Sequence, residues 1–295
     1  EIKEFQIPVF WGQISVKAWG NEAHTPVLML HGINDNAGSF DRLIPNLPTS
    51  FYYICVDLPG HGKSSEFPPN VFITTLDYLL SIKLILTHLK LEKCIFLGHS
   101  YGGQLLLLFT QLYPNYALKL ITIDSFYVLP TNPKSFSSEL TKSMEKIASI
   151  STYKPQGYMY YEAVDKIRES RMFGNDLEED AAMSIADRCL VMIGREWSKI
   201  NNDPRLSSRI NPFFDLNFVI KMLQHHKLQC PYLCIYMKDT KEEFSCYCTP
   251  MLEACSQMEK CKIEEFDECH DLHLNEPGTI APSISNFMSD MECKL

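Results

Sequence analysis

An excess of basic residues is what this sequence most plainly lacks. It sets 27 lysines and arginines against 36 acidic side chains, for a formal net charge of −9, and no segment clusters the basic ones. A nucleic-acid backbone or an anionic lipid surface needs a basic footprint, so neither is expected as a partner. Long apolar runs are missing as well. Stretches such as Leu105 to Phe109 fall far short of the roughly 20 residues that cross a bilayer, and no membrane span is expected. There is no internal repeat and no low-complexity segment, and the residues after Glu1 are not expected to act as a charged, apolar, cleavable leader.

Cysteine is abundant, but the spacing that holds a metal is absent. Cys246, Cys248, Cys255, Cys261 and Cys269 gather late in the chain, yet no Cys-x-x-Cys pair and no spaced histidine pair gives a zinc pattern. The total of 11 is odd, so at least one thiol stands outside any internal disulfide. Reduced thiols and no metal are the expectation. The final tripeptide, Cys293-Lys294-Leu295, resembles the Ser-Lys-Leu peroxisomal address, so peroxisomal import is expected, with the cytoplasm as the alternative.

With 295 residues, 45% hydrophobic and 21% charged, the chain suits one large α/β core with an insertion. Glu4 to Val9 and Gln13 to Trp19 alternate around Trp11-Gly12, the pattern of a β-hairpin. Short apolar runs follow at Val27 to Leu30, Tyr52 to Val56, Cys94 to Leu97 and Lys119 to Ile123, as buried parallel strands require. Helical stretches from Thr75 to Leu89 and from Gln104 to Tyr113 separate them, the second stopped by Pro114. The result is a mostly parallel, doubly wound sheet.

From Ser125 to Leu228 the periodicity is helical with no convincing buried strand, and this length exceeds a plain connection. Asn175-Asp176 precede an acidic first turn in LEEDAAMSIADRCLVMI, and Asp215 caps LNFVIKMLQHHKL. Residues 125–228 are therefore read as a helical cap inserted in a core of residues 1–124 and 229–295. That core resumes with strands at Tyr232 to Met237 and Lys262 to Phe266, and a helix from Thr279 to Met288 closes it. Within the cap, GYMYYEAV (157–164) and RMFG (171–174) are candidates for an apolar acyl pocket, with internal packing as the commoner use of such residues. His225-His226 are placed on a solvated helix face and Arg205 in a cap turn.

The chemistry starts at Gly98-His99-Ser100-Tyr101-Gly102, a G-x-S-x-G motif between an expected strand and an expected helix. Small neighbours let the backbone turn sharply and present the Ser100 hydroxyl as a nucleophile. The Tyr101 N–H, at a helix N-terminus, is one oxyanion donor. The Ile33 N–H, in the loop His31-Gly32-Ile33-Asn34, is the second. His31 itself is read as a buried brace, and DLPGHGKSS (57–65) as loop architecture.

Taken in order, LHG, DLPGHGKSS, GHSYGG and CHDLHLNEP resemble the α/β-hydrolase superfamily along the whole chain. VFWGQISVKAWG, HGINDNAGSFDRLIPNLP and the DPRL at 203–206 resemble more narrowly the animal serine hydrolase-like proteins of the kraken type. The resemblance implies an α/β-hydrolase fold and a Ser-His-Asp triad. It places the base at His270, six residues before Glu276, in preference to His273, which becomes a pocket-wall or hydrogen-bonding residue. The acid is less direct. The usual pattern P-x-L-x-I-x-G-x-x-D, counted from Pro231, ends on Thr240, and Asp239 is one residue off. Asp124, at the end of LITIDS one strand earlier, is preferred.

The expected activity is cleavage of carboxylic esters or thioesters of small to medium apolar acyl groups through an acyl-enzyme, without metal or organic cofactor. An elbow serine argues against epoxide hydrolases and dehalogenases, which use Asp there. The alternative is a ligand-binding protein on a hydrolase fold with little or no turnover.

Overall fold

In a computed structural model, residues 1–69, 71–171, 177–208 and 215–290 are described. Ten strands run in chain order as β1 (Ile2–Val9), β2 (Gly12–Trp19), β3 (Thr25–Leu30), β4 (Phe51–Val56), β5 (Cys94–His99), β6 (Ala117–Ile123), β7 (Leu190–Met192), β8 (Ser198–Ile200), β9 (Tyr232–Met237) and β10 (Cys261–Phe266). Eight of them form one sheet in the order β1-β2-β4-β3-β5-β6-β9-β10. β2 is antiparallel to both of its neighbours, and the other pairs are parallel.

Burial on both faces explains the central strands. Every residue of β4, β5 and β9 is buried, so these segments read as unbroken apolar runs and not as alternation. Along β3, Leu28 and Leu30 point into one core and Val27 and Met29 into the other, the two-residue period of a strand. The first core is covered by α1 (Thr75–His88) and α2 (Tyr101–Leu112), which contribute Tyr78, Ile82, Leu105 and Phe109. α1 starts at a capping box in which the Thr74 N–H donates to Asp77 Oδ2 at 2.8 Å.

Between β6 and β9 lie α3 (Phe136–Ala148), α4 (Tyr160–Glu169), α5 (Glu179–Cys189) and α6 (Leu216–His225). α4 and α5 make a small core of their own through Val164, Ile167, Ala182 and Ile185. Asp215 caps α6 by accepting from the Phe218 N–H at 2.8 Å. Not all of this stretch is helical. Leu190–Met192 and Ser198–Ile200 pair as an antiparallel ribbon, so LVM leaves the helix that was expected to include it. Val191 and Met192 are exposed, and an apolar run bare to solvent carries no sign of which backbone it adopts. Asn175 and Asp176, expected to precede α5, lie outside the described residues.

The remaining helices are α7 (Lys238–Glu243), α8 (Ser245–Ser256), α9 (Leu272–Asn275) and α10 (Pro277–Ser289). α10 packs Ile280, Ile284 and Phe287 into the second core. Its C-terminus is fixed by a buried lysine: Lys119 Nζ donates to the carbonyls of Phe287 at 2.6 Å and Asp290 at 2.8 Å. The tripeptide Cys293-Lys294-Leu295 lies outside the described residues. Among the described residues no helix is long and apolar enough to cross a membrane, and the ten described cysteines are all unbridged thiols.

The strand order places the site. The chain leaves β3 for β4 on one side, then returns past β3 to β5 on the other. The loops after β3 and β5 therefore diverge and leave a crevice at the C-terminal ends of the strands.

Candidate active site

Ser100 fills the turn from β5 into α2 with φ 48° and ψ −118°, a conformation that costs a non-glycine residue on the order of 1–3 kcal/mol. Its surroundings hold it there. The Ser100 N–H donates to the Ile123 carbonyl at 3.0 Å, which anchors the turn to β6. A Cβ at Gly98 would come within 2.5 Å of the Gly103 nitrogen, and one at Gly102 within 2.2 Å of the Leu30 oxygen. Only glycine fits either place. α2 begins at Tyr101, three residues before the expected Gln104, because the glycines that look like helix breakers are needed for close approach to β3 and β5.

Asp124 is the next residue after β6 and is also left-handed, at φ 44°. Its N–H donates to the Ile235 carbonyl at 2.8 Å, and its side chain turns toward β9 and the loop carrying His270. Oδ1 accepts from the Met237 N–H at 2.8 Å, and Oδ2 accepts from Thr240 Oγ1 at 2.5 Å and meets His270 Nδ1. Burial alone would push the His270 imidazole down. The bond to Asp124 and its charge outweigh that, and the His270 pKa lies above the ordinary histidine value.

Asp239, the competing acid, is exposed on the first turn of α7, whereas its neighbour Thr240 is buried. The helical turn begins at Lys238, so the position counted from Pro231 faces inward and the one before it faces solvent.

Ser100 and His270 line one small cavity of about 40 Å³ together with Ile33, Asp35, His99 and Arg171. Ile33 lies in the loop after β3, where Asn34 is left-handed at φ 65°. Tyr101, as the first residue of α2, has a first-turn amide directed out of the helix N-terminus. Of the two amides chosen as oxyanion donors, that of Ile33 is thus in a loop lining the serine's cavity and that of Tyr101 opens the helix directly after the serine.

Three charged residues of the site are given no role by the sequence reading. Arg171, just after α4, donates to Asp35 Oδ1 at 2.5 Å, and from Nε to Asp271 Oδ2 at 3.0 Å and from Nη2 to Asp271 Oδ1. Asp35 and Asp271 are each 1% exposed. Burial raises a carboxyl pKa, but the adjacent guanidinium overrides it and holds both below the usual range. These partners are at least 100 positions apart in the chain, so no local periodicity could reveal them. Further bonds join the same stretch to the core: Asn36 Nδ2 donates to the Ile185 carbonyl at 2.9 Å, and Arg188 Nε donates to Asp57 Oδ1 at 2.7 Å.

The other histidines sort clearly. His99 Nε2 contacts the His270 carbonyl at 3.1 Å and steadies the backbone of the loop. His273 is expected as a pocket-wall or hydrogen-bonding residue, and the hydrogen bond is not found among the described residues. The side chain is fully buried, its ring lies 3.8 Å from that of His99, and neither ring nitrogen has a hydrogen-bond partner among the described residues. His31 is the expected brace: its Nε2 accepts from the Leu58 N–H at 2.9 Å while Nδ1 faces the Gly32 carbonyl at 2.7 Å.

Asp57 serves the loop as expected, accepting from the amides of Ala37 and Lys63 at 2.8 Å each. Arg205 is 3% exposed and holds Asp203 and the Phe67 carbonyl, a buried clamp inside its turn. His225 and His226 are exposed. Of the cap candidates, Met159 and Tyr161 are exposed and Tyr160 donates to Asp187 at 2.6 Å. Met172, Phe173 and Gly174 lie outside the described residues.

Comparison with known proteins agrees with this architecture. A family model described as the alpha/beta hydrolase fold matches residues 25–150. Serine hydrolase-like protein 2 of Homo sapiens is 29% identical over 97% of this chain and 94% of its own. The probable serine hydrolase of Drosophila melanogaster is 27% identical, covering 98% of this chain and 88% of its own. The crystal structure of a hypothetical protein from Pseudomonas aeruginosa superposes with a TM-score of 0.83 at 21% identity, covering 97% of this chain and 99% of that one.

Proposed function

We propose that this protein, with its α/β-hydrolase fold and its likeness to serine hydrolase-like proteins, is a serine hydrolase that cleaves carboxylic esters or thioesters through an acyl-enzyme. The observation that carries the reading is the convergence of a strained Ser100 and an Asp124-paired His270 on one cavity. Ser100 Oγ attacks the carbonyl carbon while His270 accepts its proton at Nε2. Asp124, bonded to Nδ1, fixes the tautomer that leaves Nε2 able to accept and stabilises the imidazolium that forms. The oxyanion is held between the Ile33 and Tyr101 amides, which in such sites supply a few kcal/mol each. His270 then protonates the leaving alcohol or thiol, and water repeats the sequence to release the acid.

Residues 125–228 act in this reading as a cap, tied to the core loops by Arg171 and Arg188. The cavity, about 40 Å³ among the described residues, is small for an acyl group, and in this reading Arg171 at its wall limits the room available. The small size of that cavity is also the observation on the side of the second reading, a binding protein that does not turn over. Hydrolysis of p-nitrophenyl and thiophenyl esters of graded chain length separates the two. Turnover abolished by Ser100→Ala supports the hydrolase, and equal rates in both proteins support the binding protein.

A further inference from the structure

We propose that Thr240 is a positioning residue that sets the strength of the Asp124–His270 pair, a claim whose kinetic consequence rests on the hydrolase reading above. Thr240 is 6% exposed while its neighbours Lys238 and Asp239 face solvent. Its hydroxyl donates to Asp124 Oδ2, the same oxygen that meets His270 Nδ1. The other oxygen is already committed to the Met237 amide. Oδ2 therefore divides its acceptor strength between the hydroxyl and the imidazole, and what the hydroxyl takes the imidazole loses.

The arrangement is held from behind, because the Thr240 carbonyl accepts from the Phe244 N–H at 3.1 Å and so is fixed in α7. Two connections thus hold the carboxylate from the β9 side, one by an amide and one by a hydroxyl. Only the hydroxyl competes for the atom that contacts the base. A threonine that merely satisfied its own hydroxyl would leave the imidazole unaffected when removed.

The test is the titration of His270, followed by NMR of its ring protons, in the Ser100→Ala protein with and without changes at 240; His270→Gln identifies the resonance. Thr240→Val keeps the shape and removes the donor, and it is expected to raise the His270 pKa by about half a unit to one unit. Thr240→Ser keeps the donor and is expected to restore the parent value. With Ser100 present, Thr240→Val should move the acid limb of kcat/KM to higher pH by the same amount. A His270 pKa unchanged in a folded Thr240→Val protein overturns the proposal. Failure of the hydrolase reading shows separately, as wild-type turnover no greater than that of Ser100→Ala, and the NMR titration then decides the Thr240 claim by itself.

Discussion

Arg171 and Asp271 are joined by paired contacts, Nε to Oδ2 at 3.0 Å and Nη2 to Oδ1, and Asp271 directly follows His270. The guanidinium also holds Asp35 in the loop that carries Ile33. One arginine from the stretch between β6 and β9 therefore ties down the loop with the proposed base and the loop with a proposed oxyanion donor.

Arg171→Gln should consequently destabilise the protein by about 3–5 kcal/mol, because it leaves two buried carboxylates without a counter-charge. Arg171→Lys retains the charge but gives up the fork that reaches both partners, and a smaller loss is expected. Urea unfolding at pH 7 measures both. Equal stability of Arg171→Gln and wild type would show that the ion pairs contribute nothing.

The acid should be transferable between strands. Thr240 Oγ1 already contacts the Asp124 oxygen that faces His270, so a carboxylate at position 240 falls within reach of the same imidazole. Asp124→Asn alone is expected to reduce kcat/KM by about 10³–10⁴-fold, the loss usual when a triad acid no longer fixes the tautomer. Asp124→Asn combined with Thr240→Asp should recover at least about tenfold of it. Steady-state ester hydrolysis by the two variants checks this.

His270 must be neutral to accept a proton, and Asp124 raises its pKa above the ordinary value. The acid limb of kcat/KM should therefore have its midpoint above about pH 6.5, with activity falling about tenfold per pH unit below it. In Asp124→Asn, burial, already the largest single influence, is no longer outweighed by the Asp124 bond and charge, and the residual activity should persist to lower pH. The pH profiles of the two proteins give the comparison.

Buried neutral histidines make stability, too, fall as the pH is lowered. Burial lowers His31 to about 4 and His273 to about 3, and it pushes His99 down as well. Below about pH 6.5 the unfolded chain binds protons at these sites and the folded chain does not. Stability must then fall with pH, by up to about 1.4 kcal/mol per unit for each histidine. His31 contributes down to about pH 4 and His273 to about pH 3. His270 does not offset the slope there: its raised pKa means that its stabilising term is complete below about pH 6.5 and constant. Urea midpoints from pH 6 to pH 5 measure the slope, and His273→Phe, which retains the ring against His99, should reduce it by about a third.

Much of this architecture is legible in the sequence because its signals are local. The hairpin shows in alternation, the central strands in unbroken apolar runs, and the nucleophile turn in small residues between a strand and a helix. Asp124 is legible only as a preference over Asp239 drawn from the resemblance, because its carboxylate is held by the Met237 amide and by Thr240, more than 110 positions away. The charges around Arg171 are not legible at all: their pairing depends on how the stretch between β6 and β9 folds back over the core. His273 illustrates a different limit. A histidine near a motif suggests hydrogen bonding, yet here its ring is used as a packing surface against His99.

The most direct measurement is labelling of the purified protein by a fluorophosphonate probe, with the adduct located by mass spectrometry. Prompt labelling at Ser100 is predicted, lost in Ser100→Ala, strongly slowed in His270→Ala and Asp124→Asn, and retained in Asp239→Asn. A folded wild-type protein that does not label, or one that loses labelling with Asp239→Asn while Asp124→Asn keeps it, would contradict the triad of Ser100, His270 and Asp124.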